Sequence, residues 1–372
     1  MSNHPSSPTL LAINGGSSSL KFAAFSADSA LVKVAAGSVH DAPDAGAPPL
    51  DWLERQVDFQ SVAAAGHRVV LSARRPPAEP VTPELLELLH RACVRDPDHL
   101  PAQLALIEAI AARHPALPQF ACYDSAFHET MPRTARLLPI PRRYEAAGIQ
   151  RYGFHGLSCT YLMQELERVA GSDAANGRVI VAHLGGGASL TAVHHGKCVD
   201  TSMGYTPAGG ILMGTRPGDL DPGLALALMQ QDGLTAAAFD TVINHESGLL
   251  GVSGTSGDMQ QLCAREAADP RAADAVELFC YQVGKWIGAF AAVLGGVDTV
   301  VFSGGIGENI PEIRYRSCRN LGFLGIEIEP APNAANAAVI SRDGGRVVVR
   351  VIATDEEQVI AQSVWRTMRG TT

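Results

Sequence analysis

A glycine-rich stretch near the middle of the 372-residue chain has the composition of a phosphate-binding site. A short apolar run, residues 178–183, leads into Gly185, Gly186 and Gly187, where backbone amides can approach an anion without an intervening Cβ atom. The stretch continues to Arg216, whose planar guanidinium matches the oxygens of a phosphoryl group. These residue types favour phosphoryl chemistry, although the glycines alone would equally suit a glycine-rich hairpin in any α/β protein.

A second copy of this pattern lies near the N-terminus. Residues 11–20 align with residues 181–190 without a gap, and both segments are predicted as strand, glycine turn and strand. Because an internal repeat implies two copies of one structural unit, we expect two similar domains that face each other across a cleft. The shared positions are Ala12, Gly15, Gly16, Ser19 and Leu20, which recur as Ala182, Gly185, Gly186, Ser189 and Leu190.

A third glycine cluster, residues 303–309, follows the apolar run 297–302. This order is typical of a strand whose end opens onto the N-terminus of a helix. Anions and nucleotides bind at such positions in α/β folds, because the backbone amides of the first turn point at the ligand. The sequence therefore predicts a nucleotide contact at this cluster.

Composition and charge exclude several classes of protein. Hydrophobic residues make up 46% of the chain and charged residues 18%, as in an ordinary globular protein. A net charge of -9 argues against nucleic acid as a partner, and the longest apolar run is too short to cross a bilayer. The N-terminus does not have the pattern of a signal peptide, and the seven cysteines contain no C-x-x-C pair. We therefore expect a cytoplasmic protein with reduced thiols and no membrane partner.

The elements that must position these residues follow from apolar periodicity and turn residues. Thr82 and a capping box over 354–357 are predicted to begin helices, and residues 26–65 are predicted as peripheral strands and loops. Lys21, beside three serines and two glycines, is predicted as a phosphate contact. The predicted elements are strands over 10–14, 20–25, 66–70, 120–124 and 347–352, helices over 83–94, 100–113 and 275–295, and a last helix that ends near Met368.

Six short motifs occur in order along the chain. They are Asn14-Gly-Gly-Ser-Ser-Ser-Leu-Lys-Phe22, Arg151-Tyr-Gly-Phe-His-Gly156, His183-Leu-Gly-Gly-Gly-Ala-Ser189, Asp200-Thr-Ser-Met-Gly204, Met213-Gly-Thr-Arg216 and Gly304-Gly-Ile-Gly-Glu-Asn309. Together they resemble the motifs of the acetate kinase family. The resemblance extends over residues 10–363 and implies an α/β fold with two duplicated ribonuclease H-like (actin-like ATPase) domains around a central cleft. It divides the chain into an N-terminal domain, 1–126 plus 358–372, and a nucleotide-binding domain, 127–357.

The resemblance implies an activity and a site. The expected reaction is ATP + acetate = ADP + acetyl phosphate, by direct in-line transfer of the phosphoryl group to the carboxylate. By resemblance, the catalytic residues are Asp124, His155 and Arg216, and Arg68 contacts the substrate carboxylate. The acyl pocket is expected at Val70, Phe154 and Pro207, and a hydrated Mg²⁺ (or Mn²⁺) at Asn14 and Glu356, with Glu357 as the nearby alternative to Glu356.

The resemblance also implies a set of nucleotide contacts and a homodimer. ATP is expected as the co-substrate, bound mainly by the second domain. The expected ATP-binding residues are Ser17, Ser19, Lys21, His183, Leu184, Gly185, Gly186, Gly187, Asp258, Met259, Gln260, Gly305, Ile306, Gly307, Glu308 and Asn309.

The chain departs from the family pattern at several positions. Leu71 follows the His-Arg-Val element where the family usually has His, and this change is expected to reshape the mouth of the acyl pocket. Asp98 replaces an apolar pocket residue, which implies a rearranged loop or a different acyl group, because a charge is costly in an apolar site. The full set of departures is Leu71, Asp98, Leu157, Cys159, Gly186 and Gln260.

Alternatives to acetate and ATP stay open. One is a kinase for propionate or another short-chain acid, or a variant that uses pyrophosphate. The glycine cluster 304–309 favours ATP as the donor, whereas the departures at Gly186 and Gln260 leave the donor open. Another is an actin-like nucleotide switch without kinase activity. The presence of Arg68, Asp124, His155 and Arg216 together argues against it, because a switch has no need of an arginine that binds a carboxylate. A Walker-type kinase is excluded because the chain has no G-x-x-x-x-G-K-[ST] run.

Overall fold

The computed structural model describes residues 8–15, 19–40, 49–93 and 99–370. The chain forms two compact units. The first comprises Met1–Phe127, Gly156–Tyr161 and Asp355–Thr372, and the second comprises His128–His155 and Leu162–Thr354. The division thus falls one residue after the expected boundary at 126 and three residues before the one at 357, and a short segment of the middle of the chain belongs to the first unit.

Eleven strands and sixteen α-helices occur in the described residues. The strands are β1 (Thr9–Gly15), β2 (Ser19–Ser26), β3 (Lys33–His40), β4 (Val62–Val69), β5 (Ala78–Pro80), β6 (Gln119–Tyr123), β7 (Arg178–Leu184), β8 (Ala188–His194), β9 (Lys197–Thr201), β10 (Thr299–Ser303) and β11 (Val348–Val351). The helices are α1 (Pro49–Gln56), α2 (Pro83–Ala92), α3 (Leu100–Arg113), α4 (Arg133–Arg136), α5 (Arg142–Ala146), α6 (Gly156–Ala170), α7 (Ser172–Asn176), α8 (Pro222–Gln231), α9 (Ala236–Thr241), α10 (Gly248–Ser253), α11 (Met259–Arg265), α12 (Pro270–Leu294), α13 (Gly304–Asn309), α14 (Pro311–Cys318), α15 (Pro330–Ala334) and α16 (Glu356–Met368). Short 3-10 helices cover Phe59–Ser61, Ala126–Thr130 and Gly322–Leu324, and a π-helix covers Val242–Glu246.

The first unit is built on a six-stranded sheet of order β3-β2-β1-β4-β6-β5. The first three strands form an antiparallel meander, in which Asn14 of β1 pairs with Lys21 of β2. Strands β4 and β6 then continue the sheet parallel to β1. Because the carboxyl ends of parallel strands lie at one edge, residues at the ends of β1, β4 and β6 come together there.

The second unit repeats this arrangement. Its five-stranded sheet has the order β11-β10-β7-β8-β9, with an antiparallel meander β7-β8-β9 and with β10 and β11 parallel to β7. Read from the meander outward, β9-β8-β7-β10-β11 matches β3-β2-β1-β4-β6 of the first unit. The duplication predicted from the two glycine hairpins is therefore confirmed, and the second hairpin closes with Leu184 paired to Ala188.

Period-two alternation gives the first sheet two apolar faces. Leu10, Ala12 and Phe25 pack with residues of α16, including Ile360. The intervening Leu11, Ile13 and Phe22 pack on the opposite face with α1 and α3. A sheet covered by helices on both sides needs such alternation of buried positions along each strand.

Most elements lie where the sequence predicts them, and three details are corrected. The interval 26–65, predicted as strands and loops, contains α1, which buries Leu50 and Leu53. The N-cap of α16 is Asp355, whose side chain accepts a hydrogen bond from the backbone N–H of Gln358, and not Thr354. Helix α12 begins at Pro270, earlier than predicted, after the Asp269 cap. None of the helices in the described ranges has the length and apolar character needed to cross a membrane.

Candidate active site

The first unit gathers four of the predicted site residues at the ends of its parallel strands. Asn14, Arg68 and Asp124 lie at or just past the carboxyl ends of β1, β4 and β6, and Glu356 begins α16. We call these four residues the strand-end cluster. Arg68 donates from Nη2 to Oδ2 of Asp124 at 2.9 Å and from Nη1 to Oδ1 of Asn14 at 3.5 Å. The ion pair is largely withdrawn from solvent, with side-chain exposures of 13% for Arg68 and 0% for Asp124.

Asn14 forms hydrogen bonds to both acids at the start of α16. Its Nδ2 atom donates to Oε2 of Glu356 and to Oε1 of Glu357, at 2.8 Å in both cases. Burial raises the pKa of Glu356, and the negative charge of Asp124 raises it further. The positive charge of Arg68, the hydrogen bond from Asn14 and the charge of Lys21 act in the opposite direction. The cluster therefore holds two carboxylates that repel each other around one guanidinium.

The donor atoms of the strand-end cluster fit Mg²⁺. This ion prefers oxygen ligands, keeps several of its waters and takes few protein ligands. Two carboxylates and the Asn14 amide oxygen supply such atoms, and a divalent cation would relieve the repulsion between Asp124 and Glu356. Over the described part of the chain, no group of three or more His, Cys, Asp or Glu side chains is arranged to hold a metal. Any metal here therefore depends on the amide and on water as well as on acids.

The backbone around Asp124 is fixed from two sides. Its N–H donates to the carbonyl oxygen of Val69 at 3.1 Å, and its carbonyl oxygen accepts from the N–H of Gly156 at 2.7 Å. A Cβ atom at Gly156 would overlap the Asp124 carbonyl oxygen, so this position requires glycine. The Gly156 of the Arg151–Gly156 motif thus has a packing role beside a site residue.

In the second unit, the glycine turn between β7 and β8 lies against two predicted catalytic residues. An ideal Cβ atom on Gly187 would be 2.9 Å from Nη2 of Arg216 and 3.2 Å from Nε2 of His155. Arg216 donates from Nη1 to the carbonyl oxygen of Pro207 at 2.8 Å. The absent side chain at Gly187 therefore leaves the space that the guanidinium and the imidazole occupy.

His155 is held in a conformation that few non-glycine residues adopt. Its φ is 60°, in the left-handed region. Its Nδ1 atom lies 3.0 Å from Oγ of Ser189, and its ring lies 4.4 Å from the ring of His183. A residue held against its backbone preference is typical of a functional position.

A buried imidazole lies behind His155. Nε2 of His128 is 2.8 Å from the carbonyl oxygen of Phe154, and Nδ1 is 3.2 Å from Sγ of Cys198. The His128 ring also packs on Gly153, where a Cβ atom would be 2.7 Å from Cδ2. Sequence reasoning missed His128, because nothing in its local sequence relates it to Phe154.

The third glycine cluster begins a short helix, as the sequence predicts. Gly304 has a φ of 75° and packs on the backbone of Leu184. Oε1 of Glu308 turns back to accept from the N–H of Gly304 at 2.8 Å and from the N–H of Thr354 at 3.2 Å. Asn309 donates to the carbonyl oxygen of Gly305 at 3.0 Å. The two polar side chains therefore fix the backbone of the cluster, and their contact with ATP stays a prediction.

Arg314 supports the end of this helix and was also missed. The side chain is fully buried, and burial lowers its pKa to about 10. Nη1 donates to the carbonyl oxygens of Gly307 and Glu308 at 2.8 and 3.0 Å, while Nε and Nη2 donate to Asn333. A guanidinium beside the carbonyl end of a helix is favourable, and five N–H donors can satisfy several such carbonyls.

Asp258, Met259 and Gln260, predicted to contact adenosine, lie at the start of α11. Asp258 is the N-cap and accepts from the N–H of Gln261 at 2.8 Å. Met259 is buried, and Gln260 is exposed. Gly257, in the loop before them, packs on the backbone of Gly214, whose N–H donates to the carbonyl oxygen of Gly186.

The remaining predicted residues fall in three groups. Val70 is buried in the first unit, whereas Phe154 and Pro207 belong to the second. Lys21 lies on β2 opposite Asn14, and Ser19 is the first residue of that strand. Ser17 and Asp98 lie outside the described residues.

Several of the positions that depart from the family pattern are well packed in the structure. Leu71, Leu157 and Cys159 are buried, and the two leucines belong to hydrophobic clusters of the first unit. A Cβ atom on Gly186 would meet no atom within 4 Å, so the turn has room for a side chain at this position. These departures therefore leave the described backbone of the motifs in place.

The fold and the site together define a class of protein. Two sheets of the same strand order, each with a glycine hairpin, are the duplicated ribonuclease H-like domains of actin-like ATPases, and the same arrangement occurs in solved acetate and propionate kinases. The chain belongs to the acetokinase family, whose model matches residues 34–362.

Named relatives agree with this assignment. The chain is 40% identical to the acetate kinase of Rhodopseudomonas palustris, over 98% of this chain and 99% of that protein. The crystal structure of Porphyromonas gingivalis acetate kinase superposes with a TM-score of 0.85 at 32% identity, over 97% of this chain and 100% of that one. A propionate kinase from Francisella tularensis gives a TM-score of 0.88 at 31% identity, over 96% and 98%.

Proposed function

We propose that this protein transfers the γ-phosphoryl group of ATP to the carboxylate of acetate, giving ADP and acetyl phosphate. Membership of the acetokinase family and full-length relatives that are named acetate kinase support the reaction class, a phosphotransferase with a carboxyl acceptor. The observation that carries the proposal is the Arg68–Asp124 ion pair, which fixes a guanidinium at a strand end beside Asn14 and Glu356. Such a guanidinium is suited to bind a carboxylate substrate through two parallel hydrogen bonds.

The main task of the protein in this reaction is to neutralise charge. Attack of a carboxylate on a phosphate brings two anions together, so cationic groups must cover both. No general base is required, because an aliphatic carboxylic acid, like a glutamate side chain, titrates near about 4.3 and is ionised at neutral pH. Arg68 binds and orients the acceptor carboxylate in the first unit.

The second unit supplies donors for the phosphoryl oxygens. Arg216 and His155 both lie against Gly187 of the glycine turn, and the backbone amides of that turn can approach phosphate. We assign the guanidinium and the imidazole to the equatorial oxygens, where charge increases in the transition state. The clusters at Gly185–Gly187 and Gly305–Asn309 and the start of α11 are assigned to the nucleotide.

Magnesium is assigned to the strand-end cluster. Asn14, Asp124 and Glu356 would hold the hydrated ion, which neutralises phosphate charge when it is bound. Lys21, on the strand beside Asn14, adds positive charge near the same carboxylates.

Propionate is a second candidate acceptor. A solved propionate kinase matches the chain with a TM-score of 0.88. The apolar residues Val70, Phe154 and Pro207 are assigned to the acyl group, and one additional methylene changes binding in an apolar pocket by about 1 to 3 kcal/mol.

The experiment is an assay of acyl phosphate trapped with hydroxylamine, with formate, acetate, propionate and butyrate in parallel. ATP and pyrophosphate are compared as donors, with and without Mg²⁺. We expect most product with ATP, Mg²⁺ and acetate. The Arg216→Ala variant should lower kcat by about 100-fold or more, while Arg168→Ala, which removes an exposed arginine, should not change it. Absence of product with every acid and both donors would refute the proposal.

We also assign the protein to the cytoplasm and expect a homodimer. Helix α8 has no buried residue although it carries several leucines, of which Leu226 is 59% exposed, and a second copy of the chain would cover such a face. Light scattering of the purified protein tests this assignment, and a monomer at micromolar concentration would contradict it.

A further inference from the structure

A buried glutamine joins two strand ends in the first unit. Gln103, on α3, is only 6% exposed. Its Oε1 atom accepts a hydrogen bond from the backbone N–H of Val70 at 3.1 Å, and its Nε2 atom donates to the carbonyl oxygen of Gly15 at 3.1 Å. One amide therefore bridges the segment that follows β4 and the last residue of β1.

The bridge lies just beyond the strand pairing. Strands β1 and β4 are parallel, and their register ends with Ile13 opposite His67. Asn14 and Arg68 come next, and the Gln103 bridge follows one residue later on β1 and two residues later on β4. The two site residues are thus enclosed between the last ladder pair and a side-chain amide that replaces further pairing.

This position gives the amide control over the site geometry. Nη1 of Arg68 and Oδ1 of Asn14 are 3.5 Å apart, at the limit of a hydrogen bond. A small change in the separation of the two strand ends would make or break this contact. Because both polar ends of the buried amide are satisfied, the bridge is a rigid spacer and not a solvated side chain.

We propose that Gln103 is a positioning residue that sets the distance between the acceptor-binding Arg68 and the metal-binding Asn14. The role rests on the function proposed above, since it assigns Arg68 to the carboxylate and Asn14 to the metal. Gln103 touches neither substrate nor metal in this role and acts through the backbone of Gly15 and Val70.

Two substitutions distinguish the contributions of the two hydrogen bonds made by Gln103. Gln103→Met has a similar length and removes both hydrogen bonds. Gln103→Glu keeps an oxygen that can accept from Val70, but when ionised it places a second oxygen against the Gly15 carbonyl and removes the donor. If this carboxyl group is protonated it regains a donor, so the defect of Gln103→Glu should diminish as the pH falls.

A matched control is a buried glutamine that contacts the same helix from β6. Gln119 is also buried, donates from Nε2 to the carbonyl oxygen of Ile107 in α3 at 3.1 Å, and contacts His67 through Oε1. It lies at the start of β6, away from the strand-end cluster. Gln119→Met therefore removes a comparable buried amide without touching the proposed bridge.

The test measures kcat and the KM values for acetate and ATP in the three variants. Displacement of a positioned group by about 1 Å can cost about 100-fold, so Gln103→Met should lower kcat by about 10- to 100-fold and raise the KM for acetate. The KM for ATP should change by less than about threefold, because the assigned nucleotide contacts are mainly in the second unit. Gln119→Met should lower the melting temperature but leave kcat near the wild-type value.

The outcome that overturns the proposal is equal loss of kcat in Gln103→Met and Gln119→Met, or none in Gln103→Met. Hydrogen exchange of the Val70 amide gives a readout without catalysis: exchange should accelerate in Gln103→Met and much less in Gln103→Glu. If the wild type forms no acyl phosphate, the proposed function fails, and the exchange data still decide whether the bridge exists.

Discussion

Nη2 of Arg68 and Oδ2 of Asp124 lie 2.9 Å apart at the ends of two parallel neighbouring strands. A fork-shaped guanidinium that is held by a fully buried carboxylate keeps one orientation. Lysine preserves the charge but cannot form two parallel hydrogen bonds to a substrate carboxylate. The Arg68→Lys variant should therefore raise the KM for acetate by about tenfold or more.

Steady-state kinetics with varied acetate at saturating ATP check this prediction. The binding constant for ATP, measured by titration, should not change. Arg91→Lys, at an exposed arginine paired with Glu87, is the control, since exposed ion pairs contribute little. An unchanged KM for acetate in Arg68→Lys would remove Arg68 from the acceptor site.

Glu356 and Glu357 accept from the same Asn14 amide, and burial raises the pKa of Glu356. Since the folded pKa exceeds the unfolded value of 4.5, ionisation of Glu356 destabilises the folded state, and stability falls as the pH rises above 4.5 through the folded pKa. Glu356→Gln should thus be more stable than the wild type at neutral pH in EDTA, while its kcat falls by about 100-fold.

Urea unfolding between pH 4.5 and pH 8, with EDTA and with Mg²⁺, measures the free energy of unfolding of both proteins. The stability difference between Glu356→Gln and wild type should grow with pH in EDTA and diminish when Mg²⁺ is added. Glu357→Gln, at the other acid that accepts from Asn14, serves as the matched variant. Stronger loss of activity in Glu357→Gln would transfer the metal role to that residue.

Gly187 and Gly186 are adjacent in the turn but differ in their surroundings. A Cβ atom on Gly187 would be 2.9 Å from Arg216 and 3.2 Å from His155, while one on Gly186 would meet nothing within 4 Å. Gly187→Ala should displace both side chains and lower kcat by about 10- to 100-fold with little change in melting temperature. Gly186→Ala should keep near-wild-type kcat, and equal effects of the two substitutions would contradict the assigned geometry.

The glycines after residues 178–183 were predicted from the sequence itself, because they follow an apolar run, and they lie in the turn between β7 and β8. Asp124 also follows an apolar run that forms a strand, but its role was assigned by resemblance to the family. Gln103, His128 and Arg314 could not be found in this way. Gln103 bonds to Val70 and Gly15, which are 33 and 88 residues away, so only the folded chain shows its role.

Local signals also failed where tertiary contacts decide the structure. Helix α1 is short, and its leucines gain their burial from β1 and α3 packing in one hydrophobic cluster. Short helices of this kind depend on packing more than on intrinsic propensity. The N-cap of α16 is Asp355, one residue after the predicted Thr354. Both residue types are good N-caps, so the local sequence did not distinguish them.

His67 is predicted to make the first unit sensitive to acid. Burial lowers its pKa from 6.5 to about 4, against a smaller opposing effect of its hydrogen bond to Gln119. The unfolded chain therefore binds a proton below pH 6.5 that the folded chain excludes, and stability falls as the pH drops from 6.5 to about 4. The loss from this group should reach about 3 kcal/mol.

Urea unfolding of His67→Gln at pH 7 and pH 5 tests this effect. The variant should lose less stability than the wild type over this interval, whatever its absolute stability. His245→Gln, at an exposed histidine, should follow the wild type. The same pH dependence in His67→Gln and wild type would show that His67 is not the group responsible.

His128 is predicted to fix the backbone that carries His155. Its Nε2 atom, 2.8 Å from the Phe154 carbonyl oxygen, must carry the proton of that hydrogen bond, because a carbonyl can only accept. The bond restrains the residue just before the left-handed φ of His155. His128→Leu removes the donor and should lower kcat by about 10- to 100-fold. In His128→Gln the side-chain amide can donate from nearly the same place, so kcat should stay within about threefold of wild type.

The Nδ1 side of the ring provides the control. Cys198→Ala removes the thiol 3.2 Å from Nδ1 but leaves the bond to Phe154, so it should keep kcat even if the melting temperature falls. Nitrogen-15 chemical shifts of the imidazole should report the Nε2–H tautomer in wild type and in Cys198→Ala. A purely structural role would lower kcat in Cys198→Ala and His128→Gln as much as in His128→Leu. Equal kcat values in the three variants would therefore contradict a positioning role for His128.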